Sequence, residues 1–280
     1  MGKDLQYDID DLTYLMSRLR DPETGCPWDC KQTYETILPH TLEEAYEVAD
    51  AIEQKDYAHL KEELGDLLFQ VIFYSQLGKE DNHFDFSMVV DALVSKLVRR
   101  HPHVFPDGTL QSNKRDQPIS EDEIKGRWEA IKQEERESKA VNKTGDLATP
   151  SILDDVPNAL PSINRAEKLQ KRAANVGFDW PTAEPILDKL AEETLELRQA
   201  MASGVPEDIQ DEVGDLLFVC VNLARHLGVK PDSALRSTNQ KFERRFRYIE
   251  SKLLLQGKQL AETDLDTMEA LWQEAKKLER

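Results

Sequence analysis

The stretch EELGDLLF, from Glu62 to Phe69, decides the fold because the chain repeats it as DEVGDLLF, from Asp211 to Phe218. Each copy has an acidic pair, one aliphatic residue and then Gly-Asp-Leu-Leu-Phe. The second acid of the pair and the aspartate are three positions apart, a spacing that puts both side chains on one face of an α-helix. We therefore expect an amphipathic helix that carries paired carboxylates and packs its Leu-Leu-Phe run into the core.

The segments around this stretch are repeated in the same order. Three further pairs match at offsets of 149, 145 and 144 positions: EEAYE with EETLE (from Glu43 and Glu192), KLVRR with KFERR (from Lys96 and Lys241), and RWEAIKQEER with LWQEAKKLER (from Arg127 and Leu271). The offset changes only where loops are expected. Such internal similarity indicates repeated structural units, so the chain is predicted to be a duplicated helical module of about 120 residues.

The predicted secondary structure is helical. Apolar residues recur every three to four positions, and runs with strand-like alternation are nearly absent. Further helices are expected near residues 8–20, 85–99 and 121–139. The segment between the copies is rich in Gly, Ser, Thr, Asn and Pro, which is typical of a linker. We predict an all-α protein with a first module over residues 1–139, a linker over 140–158 and a second module over 159–280.

The composition favours a folded protein of the cytoplasm. Hydrophobic residues make up 39% of the 280 positions and charged residues 32%. A formal net charge of −18 argues against binding to nucleic acid or to an anionic membrane. No apolar run approaches the roughly 18 residues of a membrane span, and no signal-peptide core is present. The three cysteines are expected to be reduced thiols.

Each copy carries two pairs of acids at i, i+3 spacing on consecutive predicted helices. The pairs are Glu193 with Glu196 and Glu212 with Asp215 in the second copy, and Glu44 with Glu47 and Glu63 with Asp66 in the first. In an antiparallel hairpin, residues equidistant from the turn face each other. Both sets are symmetric about one position, residue 55 in the first copy and Gly204 in the second. Four carboxylates are therefore expected to converge in each module.

Two interpretations of these carboxylates are open. One is an ordinary solvated acidic face. The other is a cation site, because four anions beside an apolar core repel one another unless a cation neutralises them. The repeated spacing favours the cation site. Ligands that are all carboxylate oxygens suit Mg²⁺ or Mn²⁺, and carboxylate-bound Mg²⁺ commonly accompanies a substrate phosphate.

Basic and aromatic residues follow the acids in both copies. The basic cluster is Lys241, Arg244 and Arg245 in the second copy and Lys96, Arg99 and Arg100 in the first. Arginine suits bidentate phosphate contacts, although salt bridges with the many glutamates would also explain the cluster. Trp272 and its counterpart Trp128 would either stack on a nucleobase or belong to the core. Lys189, one turn before Glu193, would either add positive charge for a phosphate or be an exposed surface lysine.

The pattern EExxE followed by ExxD, found in both copies, resembles the signature of the MazG-type nucleoside triphosphate pyrophosphohydrolases. The resemblance covers nearly the whole chain, including the tandem arrangement and KFERR. It implies the all-α NTP pyrophosphatase fold, related to that of the all-α dUTPases, a homodimer, and hydrolysis of an NTP to NMP and pyrophosphate. It implies Mg²⁺ ligands at Glu193, Glu196, Glu212 and Asp215. It implies nucleotide contacts at Lys189, Glu192, Asp208, Asp211, Asp215, Lys241, Arg244, Arg245 and Trp272.

The expected mechanism follows from these residues and the resemblance. Mg²⁺ would bridge the carboxylates and the triphosphate and place a water against the α-phosphorus. One carboxylate that the metal does not fully occupy, Glu192 or Glu193, would accept the proton. The second copy is the favoured main site, because Lys189 there replaces His40, and a lysine is always charged at pH 7.

Two alternatives to a broad pyrophosphohydrolase remain open. The first is a non-catalytic helical module that binds a nucleotide or a protein. The second is a narrow dUTP or dCTP pyrophosphatase, because selection of the base depends on the shape of a pocket that the sequence does not reveal.

Overall fold

The computed structural model describes residues 7–112, 120, 123–124, 126–128, 130–131, 135, 151–154 and 156–279. Nine α-helices lie completely within these ranges, further helical residues lie between positions 123 and 135, and no β-strand occurs in the described residues, so the all-α prediction is confirmed. The chain separates into two compact units, Met1–Lys143 and Thr144–Arg280. Residues 140–150 of the predicted linker lie outside the described part, as do most of residues 121–139, of which the described ones are helical.

The first unit contains four of these helices: α1 (Ile9–Leu19), α2 (Tyr34–Gln54), α3 (Tyr57–Glu80) and α4 (Phe86–Arg100). Helices α2 and α3 form a closely packed hairpin, and α1 and α4 pack against α3. The core lies on the inner side of α3, where the fully buried Ile72 and Phe73 contact Met16 and Ile37. This hairpin carries all the acids predicted for the first copy.

The second unit contains the other five: α5 (Ser162–Ala174), α6 (Glu184–Ser203), α7 (Pro206–His226), α8 (Pro231–Leu255) and α9 (Leu265–Leu278). Helices α6 and α7 repeat the close hairpin, α5 packs against α7 and α8, and α9 packs against α8. A core cluster of Ile249, Leu253 and Leu271 joins α8 to α9. The acids of the second copy again lie on the hairpin.

The hairpin turns lie where the symmetry of the acids predicts them. Helix α2 is followed by the C-cap residue Lys55, whose φ of 58° is left-handed, and α6 is followed by the C-cap residue Gly204 with a φ of 73°. A left-handed residue at this position closes the last helical turn and reverses the chain. Helix α7 then starts with Pro206 followed by two acids in its first turn, residues that suit a helix N-terminus.

The prediction that the whole Leu-Leu-Phe run faces the core is wrong. Phe69 packs against the core of the first unit, but Leu68 is 39% exposed, and Leu217 and Phe218 are 59% and 44% exposed. Three consecutive helical residues span about 200° of the circumference, more than one neighbouring helix can cover. Within the described ranges, no helix combines the length and apolarity that crossing a membrane requires.

Candidate active site

Three carboxylates of the second unit meet across the α6–α7 hairpin. Glu193 and Glu196 come from α6 and Glu212 from α7, and one oxygen of each lies within 4.8 Å of the others. Glu193 is buried, and the other two are half-buried. The prediction of four converging acids therefore holds for three, while the fourth, Asp215, is exposed at the edge of this acidic triad.

The acidic triad is electrostatically strained. Burial raises the pKa of Glu212, and the negative charges of Glu196, Glu193, Asp215 and Asp211 raise it further. Burial also raises the pKa of Glu196, an effect that nearby Lys189 opposes. Close carboxylates shift in this way when no cation shares their charge. A divalent cation would remove both the repulsion and the desolvation penalty.

Lys189 partly neutralises this site. Its Nζ lies 2.9 Å from Glu192 Oε1 and 2.9 Å from Glu193 Oε1. Hydrogen bonds to Glu192 and Glu193 raise the pKa of the lysine above its usual range. Lys189 is therefore paired with two carboxylates of the hairpin and is not an unattached surface lysine.

Two carboxylate oxygens at the site have no hydrogen-bond partner among the described residues. Oε2 of Glu193 and Oε2 of Glu212 are buried, and no donor in the described part of the chain reaches them. A buried, unpaired carboxylate oxygen is costly unless a ligand pairs with it. Oxygens from three carboxylates fit a hard cation such as Mg²⁺ or Mn²⁺. The three carboxylates therefore fit a divalent metal, and Asp215 is near enough for its charge to raise the pKa of Glu212.

The first unit has a related but different arrangement. Glu44, Glu63 and Asp66 bring one oxygen each within 4.8 Å. Burial and the neighbouring acids raise the pKa values of Glu44 and Glu63, and Glu47 is among those acids. The partner of the buried Glu63 is His59, whose Nε2 lies 2.6 Å from Oε1. A lysine thus contacts the acids in the second unit, and a histidine does so in the first.

The basic cluster is held by a glutamate that the sequence analysis did not single out. Glu279, on the turn after α9, lies 2.6 Å from Arg245 and 3.6 Å from Arg244. In the first unit Arg99 and Arg100 pair with Glu135, which occupies the equivalent position of the repeat. The sequence does contain a signal for these contacts, because both glutamates lie seven positions after the repeated tryptophan.

Trp272 belongs mainly to the core of the second unit. Its ring centroid lies 5.3 Å from that of Phe242, and it packs against the core cluster on α8 and α9. The Arg245 guanidinium lies 5.4 Å from the Trp272 ring centroid. These contacts favour the interpretation of Trp272 as a core residue, and they show that its ring also contacts Arg245. Glu192, Asp208 and Asp211 are exposed near the acidic triad, and Lys241 is half-buried on α8.

The second unit also has a cavity that the sequence did not predict. It has a volume of about 270 Å³ and lies between α5, α7 and the loop at residues 178–180. Its wall includes three aromatic side chains, Phe178, Trp180 and Phe218, together with the buried polar side chains of Gln170 and Asn222. We call it the aromatic cavity. Asn222 within the apolar run FVCVNL was the only signal in the sequence.

An ion pair between Arg225 and Asp179 lies at one side of the aromatic cavity. Arg225 donates from Nη1 to Asp179 Oδ2 at 2.9 Å and from Nη2 to Asn222 Oδ1 at 2.7 Å. His226 Nε2 lies 2.8 Å from Asp179 Oδ1. The hydrogen bond from Arg225 is the main cause that holds the pKa of Asp179 at about 2. The polar side of the cavity is therefore fixed before any ligand enters.

Comparisons with known proteins agree with the repeated hairpin. The family model of the MazG nucleotide pyrophosphohydrolase domain matches residues 32–105 and 182–249, one segment in each unit. A nucleoside triphosphate pyrophosphohydrolase of Escherichia coli is 49% identical over 273 residues, covering 97% of this chain and 98% of that protein. The nucleoside triphosphate pyrophosphohydrolase/pyrophosphatase MazG of Thermotoga maritima is 38% identical over 268 residues, covering 96% and 95%.

Among solved structures, a MazG-related protein from Thermotoga maritima aligns with a TM-score of 0.37 and 28% identity, covering 45% of this chain and 99% of that one. The family match extends over both hairpins, and the similarity to the Escherichia coli protein runs through nearly the whole chain. The chain belongs to the MazG nucleotide pyrophosphohydrolase family.

Proposed function

We propose that this chain hydrolyses nucleoside triphosphates to the monophosphate and pyrophosphate, with its main site in the second unit. The observation that carries the proposal is the acidic triad, in which two buried carboxylate oxygens have no partner within the described part of the chain. The names of the full-length relatives support the same activity. Glu193, Glu196, Glu212 and Asp215 would hold Mg²⁺, or alternatively Mn²⁺.

A bound Mg²⁺ would supply charge neutralisation for the triphosphate and a water of lowered pKa. The chain's own residues would accept the proton of the attacking water and balance the charge of the site. Glu192 is exposed beside the acidic triad and forms an ion pair with Lys189. Glu192 can therefore accept a proton from the attacking water. Glu193 can do so as well if the metal does not fully occupy its second oxygen. Lys189 keeps the site from accumulating excess negative charge.

The basic cluster would receive the leaving pyrophosphate. Arg244 and Arg245 already face a carboxylate, that of Glu279. A phosphate group can take the place of a carboxylate at an arginine fork. Hydrogen bonding to Arg245 lowers the pKa of Glu279, so this glutamate stays ionised and competes with the phosphates. The remaining proposed contacts to the nucleotide are Lys241, Asp208, Asp211 and Trp272. Trp272 would act indirectly, because its ring positions Arg245.

The difference between the copies favours the second unit. Lys189 contacts two carboxylates there, whereas its counterpart His40 lies 3.5 Å from one carboxylate in the described ranges, that of Glu43. Buried carboxylate oxygens without a partner occur, among the acids described, at Glu193 and Glu212 but not at Glu44 or Glu63. The first unit is thus a weaker candidate for the same chemistry.

The hairpins also support a homodimer. Large apolar side chains are exposed at four equivalent positions of both units: Tyr46, Ile52, Leu64 and Leu68 in the first, and Leu195, Met201, Val213 and Leu217 in the second. Repeated exposed apolar patches of this kind mark association surfaces. We expect light scattering to give twice the chain mass of 32.1 kDa. A mass of one chain at micromolar concentration would contradict a homodimer.

The remaining proposals concern location and partners. All three cysteines are free thiols, which supports a reducing cytoplasm. The net charge of −18 supports nucleotides rather than nucleic acids or membranes as partners.

A pyrophosphate-release assay on the full chain tests the activity. With Mg²⁺ we expect release from several ordinary and deoxynucleoside triphosphates, and no release once EDTA is in excess. Release from dUTP or dCTP alone would make the enzyme a narrow pyrophosphatase. Nucleotide binding without release from any substrate would make the chain a non-catalytic module and contradict the proposal.

A further inference from the structure

We propose that Glu279 is a positioning residue for the arginines of the second unit: it holds one edge of the Arg245 guanidinium and leaves the other edge free for a phosphate. The inference rests on the proposed function, in which Arg245 contacts the leaving pyrophosphate. Glu279 itself would not touch the substrate, because it acts through Arg245.

Glu279 contacts a single edge of the guanidinium. Its Oε2 accepts a hydrogen bond of 2.7 Å from Arg245 Nε and lies 2.6 Å from Nη2. A guanidinium carries five N–H donors in a planar fork, and this contact uses only the edge formed by Nε and Nη2. Nη1 of Arg245 has no partner among the described residues. Competition between Glu279 and a phosphate is therefore limited to one edge, and the edge of Nη1 and Nη2 is available.

The Trp272 ring restrains the same guanidinium from one face. Its centroid lies 5.4 Å from Arg245 Cζ, within the range of a cation–π contact. Trp272 is held in turn by the core cluster on α8 and α9. The Arg245 side chain is only 15% exposed. The carboxylate and the ring together order a long side chain in advance, which lowers the entropy cost of binding a phosphate.

The same carboxylate also reaches the second arginine. Oε1 of Glu279 lies 3.6 Å from Nε of Arg244, whereas Oε2 contacts Arg245. Two neighbouring guanidinium groups repel each other, and a carboxylate between them offsets that repulsion. Glu279 therefore keeps both arginines of the basic cluster at one place on α8.

The first unit repeats this arrangement. Glu135 accepts a hydrogen bond of 3.2 Å from Arg100 Nε and further bonds from Nη2 of Arg100 and Nη2 of Arg99. The hydrogen bond from Arg100 is the main cause that lowers the pKa of Glu135 to about 2. A chance salt bridge on the surface would not recur at the equivalent position. The contact between a late glutamate and two arginines is therefore a property of the module.

A simpler role for Glu279 would be to tie α9 to α8. The chain offers a matched control for that role in Glu274, which lies on α9 and pairs with Lys252 of α8 at 3.2 Å. No arginine is among the contacts of Glu274 in the described part of the chain. Glu274→Gln therefore weakens the tie between the helices without changing the support of Arg245.

The first test measures kcat and KM for pyrophosphate release from ATP in the full-length Glu279→Gln variant. Glutamine keeps the size of the side chain but removes the charge, and a neutral hydrogen bond to arginine is weaker. We expect kcat/KM to fall about tenfold, whereas Glu274→Gln should keep the wild-type value. Unchanged kinetics in Glu279→Gln, or a lower KM with kcat retained, would overturn the positioning role. The second result would mean that Glu279 only competes with the phosphates.

A double-mutant cycle tests whether Glu279 acts through Arg245. Arg245→Met removes the guanidinium and keeps a long apolar side chain. In that background, adding Glu279→Gln should change kcat/KM by less than about twofold, because coupled residues do not have additive effects. The same cycle on the binding of inorganic pyrophosphate, measured by calorimetry, needs no turnover. A further tenfold loss in the double variant would overturn the proposal. The proposed function fails separately, if the wild type releases no pyrophosphate from ATP.

Discussion

Replacing Glu193 with glutamine is expected to lower the rate of pyrophosphate release from ATP by about a hundredfold or more. Glutamine keeps the size of the side chain but removes the charge at the centre of the acidic triad. Glu193 is buried, contacts Lys189 through one oxygen and leaves the other free for a metal. The measurement is kcat for ATP at saturating Mg²⁺, with circular dichroism to verify that the helices remain.

The matched control is Glu44→Gln, the equivalent change in the first unit. Glu44 belongs to the other acidic group, so this variant should retain most of the activity if the second unit is the main site. Similar losses in both variants would mean that the units share the chemistry. Full activity in Glu193→Gln would contradict the assignment of the acidic triad.

Replacing Glu212 with glutamine is expected to stabilise the metal-free protein while reducing its response to Mg²⁺. Burial and repulsion from Glu196 and Glu193 raise the pKa of Glu212, so its charge destabilises the fold when no cation is present. Removing that charge should raise the melting temperature of the metal-free chain by about 2–4 °C. In the wild type, Mg²⁺ should instead provide the stabilisation, because it binds only the folded site.

Differential scanning calorimetry with EDTA and with Mg²⁺ measures both effects. Glu207→Gln is a suitable control, since Glu207 is an exposed acid in the first turn of the same helix. It should leave the shift with Mg²⁺ unchanged and should lower the metal-free melting temperature slightly, because an acid in the first turn stabilises the helix N-terminus. A Glu212→Gln variant that melts lower without metal, or that keeps the full shift, would show that the triad is not a cation site.

The hairpins could be predicted from the sequence because their determinants are local. Two acids three residues apart share a face, and a left-handed residue at Lys55 or Gly204 reverses the chain at the centre of symmetry. These two facts place Glu193, Glu196 and Glu212 together. The same reasoning predicted that Asp215 would converge with these three acids, whereas it lies exposed at the edge of the acidic triad.

The contacts that the sequence did not predict depend on packing between distant segments. Glu279 reaches Arg245 because α9 folds back along α8. The aromatic cavity joins Gln170 on α5 to Asn222 on α7, 52 positions apart. No helical period links such residues, so their juxtaposition follows only from the tertiary fold. The exposure of Leu217 was missed for a related reason, since periodicity identifies an apolar face but not what covers it.

The most direct test of the central claim is to hydrolyse ATP with the full chain and Mg²⁺ in ¹⁸O-labelled water and to analyse the products by ³¹P NMR. Attack of water on the α-phosphorus predicts AMP that carries the label in its phosphate and pyrophosphate without label. Labelled pyrophosphate, or ADP with inorganic phosphate, would contradict the reaction proposed for this site.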